Sequence, residues 1–317
     1  MINYRRSRKW QILYFLIGGI LILSFGFNIW QTQRAQDQLK TQYVTSNTPT
    51  IFLHGWSSSL RSEKDMVSAA EVSGAASRRM IIHVRPNGKL KVTGTIKKWM
   101  VNPIILVRMD NNRAGEVQYA HWLTKVCKMF KNKYHVNQLN FVGHSMGAYA
   151  VIYYNLMNGN NKDVPRANKL CVIAGPYDGM MDNHKSNQPT CGPLMQLWDD
   201  APNQNRILAT GKPKIIHPEY RLLYRLRKNF PHQARVLNIY GNLGDGSNSD
   251  GVVTTASALS LGYILRDHVS FYQTFEAFGD KAQHSALHNN NMAVNKILTE
   301  FLWDKNYRDN SASELMQ

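Results

Sequence analysis

Gly143-His144-Ser145-Met146-Gly147 stands between an apolar, strand-like run at residues 138–142 (QLNFV) and a helix-like run at 148–158. A serine flanked by two glycines at a sharp strand-to-helix turn has its hydroxyl exposed, and the glycines let the backbone pass without a Cβ clash. At ordinary Gly and Ser usage, a chain of 317 residues carries roughly 0.1 chance matches to G-x-S-x-G. The context sharpens the match, because a strand before and a helix after are what such a turn demands. The rest of the chain repeats the alternation. Strand candidates are 50–53 (TIFL), 80–84, 90–95, 103–109 (PIILVRM), 169–174 (KLCVIA), 234–240 (ARVLNIY) and 271–278 (FYQTFEAF). Helical spacing covers 114–134, 256–265 and 291–303. Near-continuous apolar strands alternating with helices predict an α/β chain, with a mostly parallel central sheet and helices on both faces. Pro86-Asn87-Gly88-Lys89 predicts one antiparallel hairpin. Residues 177–232 are rich in proline and poor in strand signals, which suits a cap-like insertion over the carboxyl edge of the sheet. The apolar cluster Leu194, Met195, Leu197, Trp198 argues against a wholly disordered excursion.

A serine nucleophile needs a base and an acid that orients the base. Chain order in this architecture is serine, acid, histidine. His284 lies after the final strand candidate and before the final helix, where a base reaches the serine turn. His288, one helical turn on, is its rival. Asp250 ends the loop 244–251 (GDGSNSDG) after the ARVLNIY strand, with Asp245 and Asp178 as alternatives. The oxyanion of an acyl-transfer intermediate wants two backbone donors. The Met146 amide is one. The Trp56 amide, in His54-Gly55-Trp56 after the TIFL strand, is the other. His284 and His288 share an i, i+4 spacing, but Ser285 replaces the Glu of a metalloprotease helix. Counted as a calcium loop from Asp245, the sixth residue is Asp250 rather than Gly and the twelfth is Ala256 rather than Glu. The chemistry therefore calls for no metal and no organic cofactor.

Residues 11–30 (QILYFLIGGILILSFGFNIW) carry no charge and follow Arg5, Arg6, Arg8 and Lys9. About 20 helical residues span a hydrocarbon core of about 30 Å. The basic flank predicts a cytoplasmic start and an external remainder. A cleaved signal peptide is the competing reading, but no A-x-A site follows the apolar run. The chain divides into a basic flank and transmembrane anchor (1–30), a polar linker (31–48), a catalytic domain (49–304) and a polar tail (305–317). Net charge is +17. Outside a membrane such a surface suits anionic lipid head groups or an anionic wall polymer, or is simply dispersed and solvated. Export argues against nucleic acid as a partner. Cys127, Cys171 and Cys191 are too few for a disulfide-stapled fold; buried free thiols are favoured over a Cys171–Cys191 bridge.

LHGW, NPIILVRMDNN, FVGHSMGAY, SDGVV and QHSALHNN together resemble the bacterial cell-surface α/β-hydrolases of unknown function, within the lipase/esterase superfamily. The resemblance spans about 48–304. It implies an α/β-hydrolase fold and an extracytoplasmic protein, with Ser145 as nucleophile, Asp250 as acid and His284 as base. Ala148 departs from the second glycine that such proteins often carry there. The expected activity is hydrolysis of a small-molecule or lipid ester. The alternatives are a peptidase or acyltransferase using the same serine, and a non-catalytic binding protein on the same fold.

Overall fold

The computed structural model describes residues 2–181 and 199–307 and divides the chain into two units, Met1–Tyr43 and Val44–Gln317. The first unit is one helix, α1 (Ile2–Gln42), whose segment Trp10–Asn28 has a mean hydropathy of 1.9 and is long and apolar enough to cross a membrane. Helix α1 also takes in most of the expected linker. Residues 31–42 hold no Gly or Pro and are rich in Gln, Lys, Arg, Ala and Leu, so nothing local stops the helix.

The second unit runs β1 (Thr50–Leu53), α2 (Lys64–Val72), β2 (Ser77–Val84), β3 (Leu90–Gly94), β4 (Pro103–Met109), α3 (Glu116–Tyr134), β5 (Gln138–His144), α4 (Met146–Asn158) and β6 (Arg166–Ile173). The short strands β7 (Met180–Met181) and β8 (Asp199–Asp200) pair with each other. Then come α5 (Pro218–Leu226), β9 (Arg235–Asn242), α6 (Thr255–Leu259), α7 (Leu261–Leu265), β10 (Phe271–Phe278) and α8 (Met292–Trp303). The main sheet has the order β10-β9-β6-β5-β1-β4-β2-β3. Every neighbouring pair in it is parallel except β2–β3, the hairpin that Asn87-Gly88 predicts, with Gly88 at φ 78°.

The chain first winds from β1 toward β3, then reverses across β1 to β5 and on to β10. Right-handed crossovers on the two halves put α2 on one face and α3 and α4 on the other. In keeping with this, α2 packs with α8 and α3 with α4. Strands β4 and β5 are buried along consecutive residues, as strands covered on both faces must be. Helix α4 is buried at every residue from Met146 to Leu156, which explains its largely apolar sequence; its one amide there, Asn155, donates to the Val151 carbonyl at 2.8 Å. The reversal makes the carboxyl ends of β1 and β5 the switch point of the sheet, the position at which open α/β sheets bind their ligands.

Two local readings shift. The helix expected over 256–265 is two short helices, parted where the Ser260 hydroxyl donates back to the Ser257 carbonyl. Helix α3 starts at Glu116 because Gly115 stands at φ 85°, outside helical space. Of the 177–232 segment, β7, β8 and α5 are described; His184, Cys191 and the cluster Leu194, Met195, Leu197, Trp198 lie outside the described residues.

Candidate active site

Ser145 is the single residue between β5 and α4, with φ 56° and ψ −124°. That region is sparsely populated by any residue with a Cβ and costs about 1–3 kcal/mol. The surroundings over-determine it. The Ser145 amide donates to the Ile173 carbonyl at 2.8 Å, and its carbonyl accepts from the Ala148 and Tyr149 amides. The neighbouring glycines are sterically required. A Cβ on Gly143 would stand 2.6 Å from the Gly147 carbonyl oxygen and 2.8 Å from the Ala148 Cα; one on Gly147 would strike the carbonyls of Leu53 and His54.

His284 brings Nε2 to 2.9 Å from the Ser145 Oγ and Nδ1 to 2.7 Å from the Asp250 Oδ2. The other Asp250 oxygen accepts from the amides of Val252 and Val253 at 2.9 and 2.7 Å. With the carboxylate accepting from Nδ1–H, the Nε2 lone pair is left to accept from the serine hydroxyl. The backbone reinforces the pairing, because the His284 amide donates to the Asp250 carbonyl at 2.9 Å. Gly241 on β9 leaves room for both loops: a Cβ there would strike the Ala282 carbonyl and lie 2.8 Å from the Asp250 Cβ. Asp245 is exposed and caps its own turn by accepting from the Ser247 amide. Asp178 is buried against His217 and Asn205. His288 packs its ring edge-on to His144, 4.3 Å between centroids. Among the described residues no three His, Cys, Asp or Glu side chains gather as a metal site.

The loop after β1 passes directly over the serine turn: a Cβ on Gly55 would lie 3.0 Å from the Ser145 Cβ. His54 holds this loop. Its Nδ1–H donates to the Gly55 carbonyl at 2.9 Å, and its Nε2 accepts from the Met109 amide at 3.0 Å. Burial lowers its pKa to about 4, so it stays a neutral strut. Asn112 adds a second tie, donating through Nδ2 to the Ser58 carbonyl at 2.7 Å. Trp56 lies in this fixed loop, half-buried, and the Met146 amide is the first of α4.

One residue with a role here carries no sequence expectation. His144, at the end of β5, donates from Nε2 to the His284 carbonyl at 3.0 Å and lies against its ring at 4.8 Å. Burial, then the neighbouring His284 and His288, push its pKa well below the usual histidine value. The signal in the chain is a histidine closing a strand that is buried from Leu139 onward.

On the other side of the sheet end, Asp178 follows β6 and accepts from the His217 amide at 2.8 Å and from its Nδ1–H at 3.1 Å. Burial alone would lower the His217 pKa, but the hydrogen bond and charge of Asp178 outweigh it and hold it up at about 9. Glu219, two residues on, is fully buried with neither carboxyl oxygen hydrogen-bonded, and burial pushes it up to about 8.

A family model described as alpha/beta hydrolase of unknown function (DUF915) matches residues 37–305. The crystal structure of the product of the gene lin2722 from Listeria innocua is 22% identical, with a TM-score of 0.69 over 83% of this chain and 96% of that one. A protein from Lactobacillus plantarum WCFS1, described as a candidate cell surface hydrolase, is also 22% identical, with a TM-score of 0.60 over 82% of this chain and 91% of that one. Both likenesses are of fold. No curated protein matches the chain.

Glu219 and His217 both hold a proton more tightly folded than unfolded. The Glu219 contribution is complete below its ordinary 4.5 and is lost as pH rises through about 8; that of His217 is complete below 6.5 and is lost through about 9. The melting temperature is therefore expected to fall between about pH 5 and pH 9. Glu219→Gln should remove the lower part of that fall and melt about 5 °C above the parent at pH 8. An identical pH profile for the two proteins, measured by thermal denaturation, would refute the assignment.

Proposed function

The chain belongs to the alpha/beta hydrolase family of unknown function, and on that premise we propose that it is a membrane-anchored serine hydrolase of carboxylic esters. The observation that carries the reading is the unbroken hydrogen-bonded line from the Ser145 Oγ through His284 to Asp250, at 2.9 and 2.7 Å. Ser145 attacks the ester carbonyl carbon as His284 Nε2 takes the hydroxyl proton. Asp250 holds the imidazole in the required tautomer and stabilises its charged form. The amides of Met146 and Trp56 receive the developing oxyanion. The intermediate collapses as His284 protonates the leaving alcohol, leaving an acyl-serine. Water, deprotonated by the same imidazole, then releases the acid. No step needs a metal or an organic cofactor. The choice of ester over amide or thioester rests on what this fold most often does.

Ser145→Ala is expected to abolish labelling by a fluorophosphonate probe and to lower ester turnover at least about 10⁴-fold; Asp250→Asn should cost about 10⁴-fold. Probe labelling that survives in Ser145→Ala would end the assignment. A folded parent that neither takes the probe nor turns over any p-nitrophenyl ester would be a binding protein instead.

His144 is a positioning residue in this scheme, since its Nε2–H ties the loop of the base to the strand of the nucleophile. His144→Phe keeps the ring and removes the donor. A displacement near 1 Å costs on the order of 10²-fold, so kcat should fall by about that much with KM unchanged. A fall in KM-dependent binding alone would point to a pocket role instead.

Trp10–Asn28 is read as the anchor, with Arg5, Arg6, Arg8 and Lys9 on the cytoplasmic side. The surface location given for the Lactobacillus plantarum relative agrees with an external catalytic unit. The full chain should stay with membranes through an alkaline carbonate wash, and protease added to intact cells should digest Val44–Gln317. Release by carbonate would sink the anchor.

A further inference from the structure

The geometry points to a second site, at the amino edge of the sheet, that docks the globular unit on anionic phospholipid head groups. A groove of about 790 Å³ opens there, between the residues that lead into β1 and those that lead into β5. Lys97, Lys98, Lys133 and His135 line it, and no Asp or Glu does. These four side chains are exposed. The three lysines are spread across a concave face rather than paired off, which suits several phosphates and not one counter-charge. The residues around the groove carry the apolar half of an interfacial surface. Trp99 is 70% exposed beside Lys97, and Val101 and Val72 stand exposed at the same edge. An exposed tryptophan among lysines is the pairing found at membrane–water interfaces, where the indole sits at head-group level.

Chain connectivity favours lipid over other anionic partners. The lining begins at Asn47, just after Val44, the first residue of this unit. The amino edge is therefore the side on which the chain enters from its apolar helix. The occupant proposed is the phosphate of phosphatidylglycerol-like lipids in the bilayer that the anchor spans.

Docking on this edge has a consequence for the proposed hydrolase. Strand β5 starts at Gln138 in the groove and ends at His144 beside Ser145. Its six residue steps separate the two sites by about 20 Å. The edge that carries Ser145 then faces away from the bilayer. This consequence rests on the hydrolase reading and points to esters presented from the water or wall side. The docking itself does not depend on catalysis.

The test uses residues 43–317, which keep the buried Tyr43 and the whole of the hydrophobic core cluster, whose first residue is Ile51. Co-sedimentation is measured with phosphatidylcholine vesicles, with and without phosphatidylglycerol. Binding is expected only with phosphatidylglycerol, and K97E/K98E/K133E should weaken it about a hundredfold or more. The control K212E/R221E/R225E changes net charge equally on α5 and the residues before it, and should bind nearly as the parent does. Trp99→Ala should weaken binding several-fold while leaving its salt dependence unchanged. Ser145→Ala should bind like the parent, so that loss of catalysis and loss of docking read separately. Equal losses in both triple variants would overturn the site in favour of a diffuse charge. Binding to soluble polyglycerol phosphate but not to vesicles would overturn the lipid.

Discussion

The left-handed backbone of Ser145 is the constraint on which the rest of the carboxyl edge depends. A residue with a Cβ holds φ 56° only where its neighbours leave no alternative. Here β5 and α4, buried almost completely, fix the chain on both sides. Gly143, Gly147 and Gly55 let three backbone segments close to contact around the serine. Their packing brings the loop after β1 against the serine turn. Burial of β5 and α4 outweighs the local strain, and the strain is spent where a side chain must be presented rather than packed.

Histidine does different work around this point, and burial and partners decide which. His54 and His144 have their charged forms disfavoured by burial and serve as neutral hydrogen-bonding struts, one for the β1 loop and one for the loop of His284. His217 is half-buried and faces Asp178, and the carboxylate reverses the outcome. It ties the start of α5 to the end of β6. The loops around Ser145 are thus held by side chains that take no part in the proposed reaction, which is how a reactive geometry stays within tenths of an ångström.

The two edges of the sheet are chemically unlike. The carboxyl edge gathers the Ser145, His284 and Asp250 side chains with buried carboxyls such as Glu219 near its rim. The amino edge is basic, with exposed apolar side chains. Parallel strands enforce this separation, since every β-to-α turn falls at one end and every α-to-β turn at the other. A surface contact at one end leaves the other open.

Much was legible in the linear pattern. Apolar runs such as PIILVRM and QLNFV, alternating with helical spacing, dictate a covered parallel sheet, because only that arrangement buries both faces of such strands. The uncharged run in α1 and the Asn87-Gly88 hairpin are local and equally plain. Gly143, Ser145 and Gly147 are legible because the demands on that turn are met within five residues. His144 was not, since its partner is a carbonyl 140 positions away, nor was the joining of Asp178 to His217. Asp250 and Asp245 share one loop and one composition; only the fold turns the first inward to His284 and leaves the second in water. The amino-edge groove is likewise assembled from segments remote in the chain. The sequence by itself determined the elements and the chemistry on offer, because helix, strand and turn preferences act over a few residues. Which side chains meet was left to tertiary structure, because a hydrogen bond between distant loops exists only after the crossovers have set the strand order.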